Sequence, residues 1–453
     1  MSIEVRPVGV SCQLACTYCY EEGMRQQQRS HRYDRAAVLA SIAKLKKGEQ
    51  FTLFGGECLI LPLKDIDELL SISYQRTQTS GLQTNGALIT EKHIDAFIKY
   101  KTHVGISLDG PDELNDSRWA GTVAATRKQT AKTHWAIRRL VERAKEYPHL
   151  MPSLIITMHA GNCSRERFPR FLAWLHELDN MGLTYINLHT MEMDHKADTL
   201  YLSQEDASDR LIDIWNEMPK FKNIRISKFD EILKLLRGDK NSDSVVCHWK
   251  PCDPWNTSAV KGIENDGTPS HCSRTNKDGK NWLPAEGDGD DGQHAQFIGH
   301  PSTQHFERQL GLYVTPQEYG GCKGCEYWLM CYGQCPGEGE TSDDGHTGDW
   351  RKRSSHCSTY KKLFAEGARR LRLTNVLPLC DWPNRLEIEK NAYAIWSNSG
   401  TSYLTNLVHP TTAVVLNSPP CGKCGKPKLE HESENQAHGD APHGDAPHGD
   451  SHV

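Results

Sequence analysis

Three cysteines spaced C-x3-C-x2-C, Cys12, Cys16 and Cys19 in SCQLACTYCY, follow directly on the first apolar segment and constrain the chain more than anything else in it. Three thiolates at this spacing can hold three irons of a 4Fe-4S cube and leave the fourth iron without a protein ligand, open to a substrate or cosubstrate. The alternative is zinc, but structural zinc closes with four ligands, and His31 is the only local candidate for the fourth. The remaining cysteines also favour metal ligation. Of sixteen in all, eight fall between Cys247 and Cys357, and Cys421 and Cys424 form a CxxC pair near the end. The opening MSIEVRPVGVSC has no apolar signal core, and the apolar runs are short and interrupted by charge. The chain therefore reads as cytoplasmic, a compartment in which thiols stay reduced and disulfides are rare. Its 53 Lys plus Arg against 58 Asp plus Glu leave a net charge of −5, which offers no basic field for nucleic acid.

The first two hundred residues or so alternate short apolar runs with longer amphipathic ones, as repeated β/α units do. Strands are expected at Ile3 to Val8, Phe51 to Phe54, Gly81 to Gln83, His103 to Ser107, Ser153 to Met158 and Tyr185 to Leu188. Helices are expected at Asp34 to Lys47, Leu63 to Arg76, Glu91 to Tyr100, Gln129 to Tyr147, Ser164 to Leu178 and Ser203 to Met218. Six such units give an α/β fold, a partial (β/α)6 TIM-like barrel that binds ligands at the carboxyl ends of its strands. The expected division is a barrel over 1–225, a small irregular metal-binding domain over 226–360 with a long polar insertion at 273–321, a C-terminal helical extension over 361–424, and a disordered tail over 425–453 carrying HGDAP repeats.

The triad and what surrounds it resemble the radical S-adenosylmethionine (radical SAM) superfamily. Tyr18 is the aromatic residue that precedes the third cysteine in that family's CxxxCxxC pattern. Gly55, Gly56 and Glu57, following the second expected strand, match its GGE motif, whose backbone and acid hold the amino group of the SAM methionine moiety. LQTNG and GISLDGP stand at the ends of the third and fourth strands. By resemblance to anaerobic sulfatase maturases, Gln83 and Ser107 approach the SAM ribose or the substrate, and Arg118 binds SAM. Read by themselves, Asn85 and Asp109 fit turn and capping positions equally well. His189 and His195 follow the sixth strand and either face the barrel mouth or serve as hydrogen-bonding loop residues.

The second cysteine set resembles the SPASM extension of radical SAM peptide-modifying enzymes. Cys252 is followed by fourteen residues, Gly267, four residues and Cys272, then Cys322-x2-Cys325-x5-Cys331-x3-Cys335 and finally Cys357. The resemblance implies one auxiliary 4Fe-4S cluster on Cys247, Cys252, Cys272 and Cys335, and a second on Cys322, Cys325, Cys331 and Cys357, making three clusters with the SAM-binding one. Paired zinc ribbons are the alternative. The implied function is a maturase that abstracts hydrogen from a residue of a ribosomally synthesised precursor peptide to give a crosslink, an epimerisation or a backbone rearrangement. Flavodoxin or ferredoxin would supply electrons. Because only eleven residues precede Cys12, leader recognition would fall to the barrel mouth, the insertion or a separate leader-binding protein. Sulfatase-type formylglycine maturation stands second, because the Asp expected immediately after Cys272 in those maturases is Ser273 here, with Asp253 or Asp266 as substitutes. A non-catalytic zinc scaffold is the reading from another class. No catalytic acid or base is identified.

Overall fold

The β/α alternation becomes a parallel sheet backed by helices. The computed structural model of the protein describes residues 2–26, 32–192, 199–239, 249, 252, 260–270, 272–276, 307–339 and 352–398. Six expected strands form: β1 (Ser2–Val5), β2 (Thr52–Leu53), β3 (Ser80–Thr84), β4 (Thr102–Ser107), β5 (Ser153–Met158) and β6 (Tyr185–Thr190). Three more join them, β7 (Arg225–Ile226), β8 (Val260–Ile263) and β9 (Pro269–Ser270). The order across the sheet is β7-β6-β5-β4-β3-β2-β1-β8-β9, parallel throughout except for the antiparallel β8–β9 pair. This is the expected partial barrel. Strands β7, β8 and β9, of two to four residues each, were not among the expected ones.

The helices of the barrel half are α1 (Glu22–Gln26), α2 (Arg35–Ala43), α3 (Leu63–Thr77), α4 (Glu91–Lys99), α5 (Val123–Ala144), α6 (Ala160–Cys163), α7 (Phe168–Met181), α8 (Gln204–Glu217) and α9 (Ser227–Arg237). Further along come α10 (Glu307–Val314), α11 (Trp328–Cys331), α12 (Cys357–Leu373) and α13 (Arg385–Asn398). Helix α5 starts six residues before the expected Gln129. Thr122 caps it by accepting from Ala125 N at 3.1 Å, and its first turns bury Thr126, Thr130 and Thr133 rather than apolar residues. Among the described residues no helix is long and apolar enough to cross a membrane.

Alternation along the strands separates two environments. In β5, Leu154, Ile156 and Met158 are buried against the helices, whereas Ile155 and Thr157 face the barrel cavity; in β6, Ile186 and Leu188 alternate in the same way with Asn187 and His189. The parallel register sets Ser107 beside Ile155, Ile155 beside Asn187 and Thr157 beside His189, so cavity-facing side chains stand in rows.

The segment after β7 is no detached appendage. Strand β8 pairs with β1, and Gly267 in the β8–β9 turn lies so close to α2 that a Cβ there would come within 2.7 Å of the Ala37 carbonyl. Helix α12 packs across α8 and α9. The polar insertion expected over 273–321 is helical near its C-terminal end, where α10 buries Arg308, Gln309 and Leu312. Most of the insertion, Cys247, Asp253, His195, His31 and everything after residue 398 lie outside the described residues.

Candidate active site

The loop after β1 carries the three cysteines, and two neighbouring loops hold its backbone. Ala15 N donates to Trp119 O at 2.7 Å and Thr17 N to Ser117 O at 2.9 Å, which fastens the cysteine loop to the segment bearing Arg118. Gly56 N donates to Gly9 O at 2.9 Å and Glu57 N to Ser11 O at 2.8 Å. Both glycines are sterically required. A Cβ on Gly55, whose φ is +109°, would lie 2.5 Å from Gly9 O, and one on Gly56 would lie 2.2 Å from Ser11 O.

Cys12, Cys16 and Cys19 line a cavity of about 580 Å³ at the carboxyl ends of the strands, together with Tyr18, Gly55, Gly56, Gln83, Ser107 and Arg118. Donors surround the sulfurs: Arg25 Nη2 lies 3.0 Å from Cys19 Sγ and Leu14 N 3.4 Å from Cys12 Sγ. Burial pushes the Cys12 thiol up to about 11 and the Cys19 thiol up to about 12, so ionised sulfur at this loop calls for a cation to share its charge.

Glu57 is placed differently from the expectation. Its side chain is fully buried behind the cavity wall, where Oε1 accepts from Thr84 Oγ1 at 2.7 Å and Leu59 N at 3.1 Å, and Oε2 accepts from Asn85 N at 2.7 Å. The glycines of GGE face the cavity, while the acid clamps the β2 loop to the end of β3. Burial is the largest influence on this carboxyl and raises its pKa.

Behind Tyr18 lies a buried charged cluster that the spacing arguments did not reveal. The Tyr18 hydroxyl donates to Asp109 Oδ2 and accepts from Arg118 Nη1 at 3.0 Å. Asp109 Oδ1 accepts from Thr157 N at 2.9 Å, and His159 stands 3.7 Å from Oδ2. Burial opposes the Asp109 carboxylate, but His159, Arg118 and Tyr18 together outweigh it and hold its pKa below the ordinary value. Asp109 of the GISLDGP motif is thus the hub that sets Tyr18 and Arg118 against the cavity. Asn85 combines both readings, since its Oδ1 accepts from Ala87 N in the turn and from Gln13 Nε2 in the cysteine loop, each at 3.0 Å.

Across the same cavity stand Cys252, Cys272 and Cys335, with Ser273, Arg274, His189 and Glu192. Arg274 joins three partners: Glu192 at 3.2 Å, Glu338 at 3.5 Å and His189 Nδ1 at 3.3 Å. Burial, then Arg274 and Lys228, press His189 well below its usual range, so the ring is neutral, and its Nδ1 accepts from the guanidinium. Asp266, considered as a substitute base, is exposed and does not line the cavity; its Oδ1 accepts from Thr268 N at 2.9 Å.

A second, smaller cavity is lined by Cys322, Cys325, Cys331 and Cys357, with Gln334 and Arg353 beside them. Among the described residues no three His, Cys, Asp or Glu converge on one metal-ion position. Two enclosures walled by thiols from separated loops fit the chemistry of four-iron cubes. Cys58, Cys163 and Cys380 are buried away from both; Cys58 donates to Gln83 O at 3.4 Å.

Comparison with known proteins agrees. Residues 7–189 match the radical SAM superfamily. The chain is 23% identical over 399 residues to the cysteine-type anaerobic sulfatase-maturating enzyme of Clostridium perfringens, covering 80% of this chain and 95% of that protein. It is likewise 23% identical over 363 residues to the serine-type anaerobic sulfatase-maturating enzyme of Bacteroides thetaiotaomicron, covering 74% and 82%. The solved structure of anSMEcpe with bound AdoMet shares the fold at a TM-score of 0.61 and 21% identity, over 83% of this chain and 98% of that one. The same holds for native anSMEcpe with bound AdoMet and Kp18Cys peptide, at 0.61 and 21% over the same shares. With a radical SAM domain in residues 7–189 and homology along most of its length, the chain is a radical SAM enzyme related to the anaerobic sulfatase-maturating enzymes.

Proposed function

We propose that this enzyme is a peptide maturase that oxidises a side chain of a polypeptide substrate in the manner of its sulfatase-maturating relatives. The observation that carries the reading is the single cavity of about 580 Å³ walled on one side by Cys12, Cys16 and Cys19 and on the other by Cys252, Cys272 and Cys335. Cys12, Cys16 and Cys19 would hold the SAM-binding cluster. Cys252, Cys272 and Cys335 with Cys247, and Cys322, Cys325, Cys331 and Cys357, would hold the auxiliary ones. When bound, these groups supply reductive cleavage of SAM to a 5′-deoxyadenosyl radical that takes hydrogen from unactivated C–H bonds, and one-electron exchange at the auxiliary sites.

The chain's own residues do the remainder. Gly55 and Gly56 let backbone approach the SAM amino acid moiety, Arg118 meets its charge from the Asp109 cluster, and Gln83 and Ser107 present polar groups from β3 and β4. The cavity walls exclude water from the reacting centre. Glu192, held by Arg274 beside Ser273, is the carboxylate that takes the substrate proton on its side-chain oxygen in place of the Asp expected after Cys272. Flavodoxin or ferredoxin serves as the reductant, and the setting is the cytoplasm.

Formylglycine formation is the first reading, because cysteine-type and serine-type maturating enzymes both align over most of the chain. Ser273 favours a second, in which another peptide residue is crosslinked or epimerised. Anaerobically reconstituted enzyme incubated with SAM, dithionite and the Kp18Cys peptide separates them. An aldehyde trapped by a hydrazide supports formylglycine, whereas loss of two hydrogens without an aldehyde, or an inverted stereocentre at unchanged mass, supports the second reading. Release of 5′-deoxyadenosine should cease when Cys12, Cys16 and Cys19 are replaced by Ala, and continued release would remove the basis for both.

A further inference from the structure

Helix α10 lies at the end of the long polar insertion, yet its Arg308 is 2% exposed and its Gln309 is fully buried. Their hydrogen bonds run to the loops that carry the auxiliary cysteines. Arg308 Nη1 donates to Tyr332 O at 3.2 Å, and Nη2 donates to Gly333 O at 3.1 Å and Lys352 O at 3.2 Å. Gln309 Nε2 donates to Cys252 O at 3.1 Å, and Leu312 O accepts from Cys322 N at 2.7 Å. One short helix therefore touches the backbone near Cys252, Cys322, Cys331, Cys335 and Cys357.

The turn that Arg308 grips is unusual. Tyr332, Gly333 and Gln334 all have left-handed φ values, 51°, 73° and 64°, a conformation that Tyr and Gln adopt only when their surroundings enforce it. A Cβ on Gly333 would come 2.5 Å from Leu312 Cδ1, so α10 is pressed directly against this turn. The consequence lies in the flanking thiols: Cys331 lines the small cavity with Cys322, Cys325 and Cys357, while Cys335 lines the large one with Cys252 and Cys272. Three consecutive left-handed residues reverse the chain so that cysteines four apart in sequence face opposite enclosures.

We propose that Arg308 is a positioning residue for both auxiliary cluster sites, its guanidinium holding the left-handed turn that sends Cys331 to one and Cys335 to the other. The inference rests on the reading of the auxiliary cysteines as cluster ligands, and Arg308 acts through those cysteines without touching SAM or substrate.

The full-length protein, reconstituted anaerobically as wild type, Arg308→Met and Arg308→Lys, tests this by iron count and low-temperature EPR of the reduced state. Wild type is expected to hold about twelve irons in three clusters. Arg308→Met should fall to about eight or fewer, with an auxiliary EPR component lost or shifted. The component perturbed by added SAM should remain. Arg308→Lys, which keeps the charge and three donors, should recover iron at least in part. Wild-type iron and EPR in Arg308→Met would overturn the proposal. So would parallel loss of the SAM-responsive component, because Arg308 would then be supporting the fold at large. A wild type holding only about four irons would overturn the auxiliary-cluster reading itself and this inference with it.

Discussion

Glu57 shows how a residue in a ligand-binding motif can act from behind the wall. Its carboxylate takes hydrogen bonds from Thr84, Asn85 and Leu59, so truncation leaves several buried donors unmet. Glu57→Ala should cost about 1–3 kcal/mol, read as a lowered thermal midpoint, with Glu57→Gln milder. Glu192 makes the opposite case, a carboxylate on the cavity face. Glu192→Gln should leave 5′-deoxyadenosine release intact and slow peptide product by about 100-fold or more, the scale of a lost proton acceptor; equal loss of both would remove Glu192 from proton transfer. Lys228 is buried over the Tyr360 ring at 5.0 Å, with Glu338, Glu231 and Arg274 around it, and burial lowers its pKa to about 8 from 10.5. Between these values the unfolded chain binds more protons than the folded one, so stability rises with pH across this window, and the cost of burying the ammonium is fully present below it. The wild-type thermal midpoint, measured relative to Lys228→Met, should increase from pH 8 to pH 10; a flat difference would mean that Lys228 keeps its ordinary pKa in the fold.

At the scale of elements, the active loops are set by close approaches between backbones. The loops after β1 and β2 interlock through Gly56, whose Cβ would stand 2.2 Å from Ser11 O, so Gly56→Ala must part them and move the cysteines. SAM affinity, measured by calorimetry on the reconstituted protein, should fall about tenfold or more, since displacements near 1 Å at such sites are costly; unchanged affinity would mean the loops can shift without consequence. Helix α5 carries the related lesson for the sequence reading. Thr130 Oγ1 accepts from Asn115 Nδ2 at 2.8 Å and Thr133 Oγ1 donates to Asn85 O at 2.9 Å, so this helix buries hydroxyls against the cavity loops. A search for apolar periodicity starts the helix late for that reason. Helix α10 was missed for another: it is only eight residues long at the end of a polar stretch, and the burial of its Arg308 and Gln309 is accounted for only by carbonyl partners distant in sequence.

For the whole molecule, the division of cysteines between two enclosures predicts separable losses. Cys335→Ala and Cys331→Ala should each remove about four irons, but different EPR components, because the two thiols line different cavities. Loss of the same component in both would merge the enclosures into one site. The barrel itself was largely legible. Six strands and their helices were visible as alternating periodicities, and the cavity residues fell at strand ends because parallel β/α units put them there. Strands β7, β8 and β9 were not legible; β8, for one, is defined by pairing with β1, more than 250 residues away in sequence.

Local spacing determined the chemistry. Cys12, Cys16 and Cys19 lie within a single loop, so their intervals alone fix which thiols can share a cluster, and Gly55 and Gly56 announce a tight approach because no other residue permits one. Tertiary structure decided how charge and donors are shared around them: Asp109 as the hub between Tyr18 and Arg118, Glu57 behind the wall, Arg274 binding Glu192 to His189, and Arg308 gripping the turn between two cysteines. These are contacts between segments remote in the chain, with energies that depend on burial and on distances of a few ångströms. Neither quantity exists until the strands have taken their order.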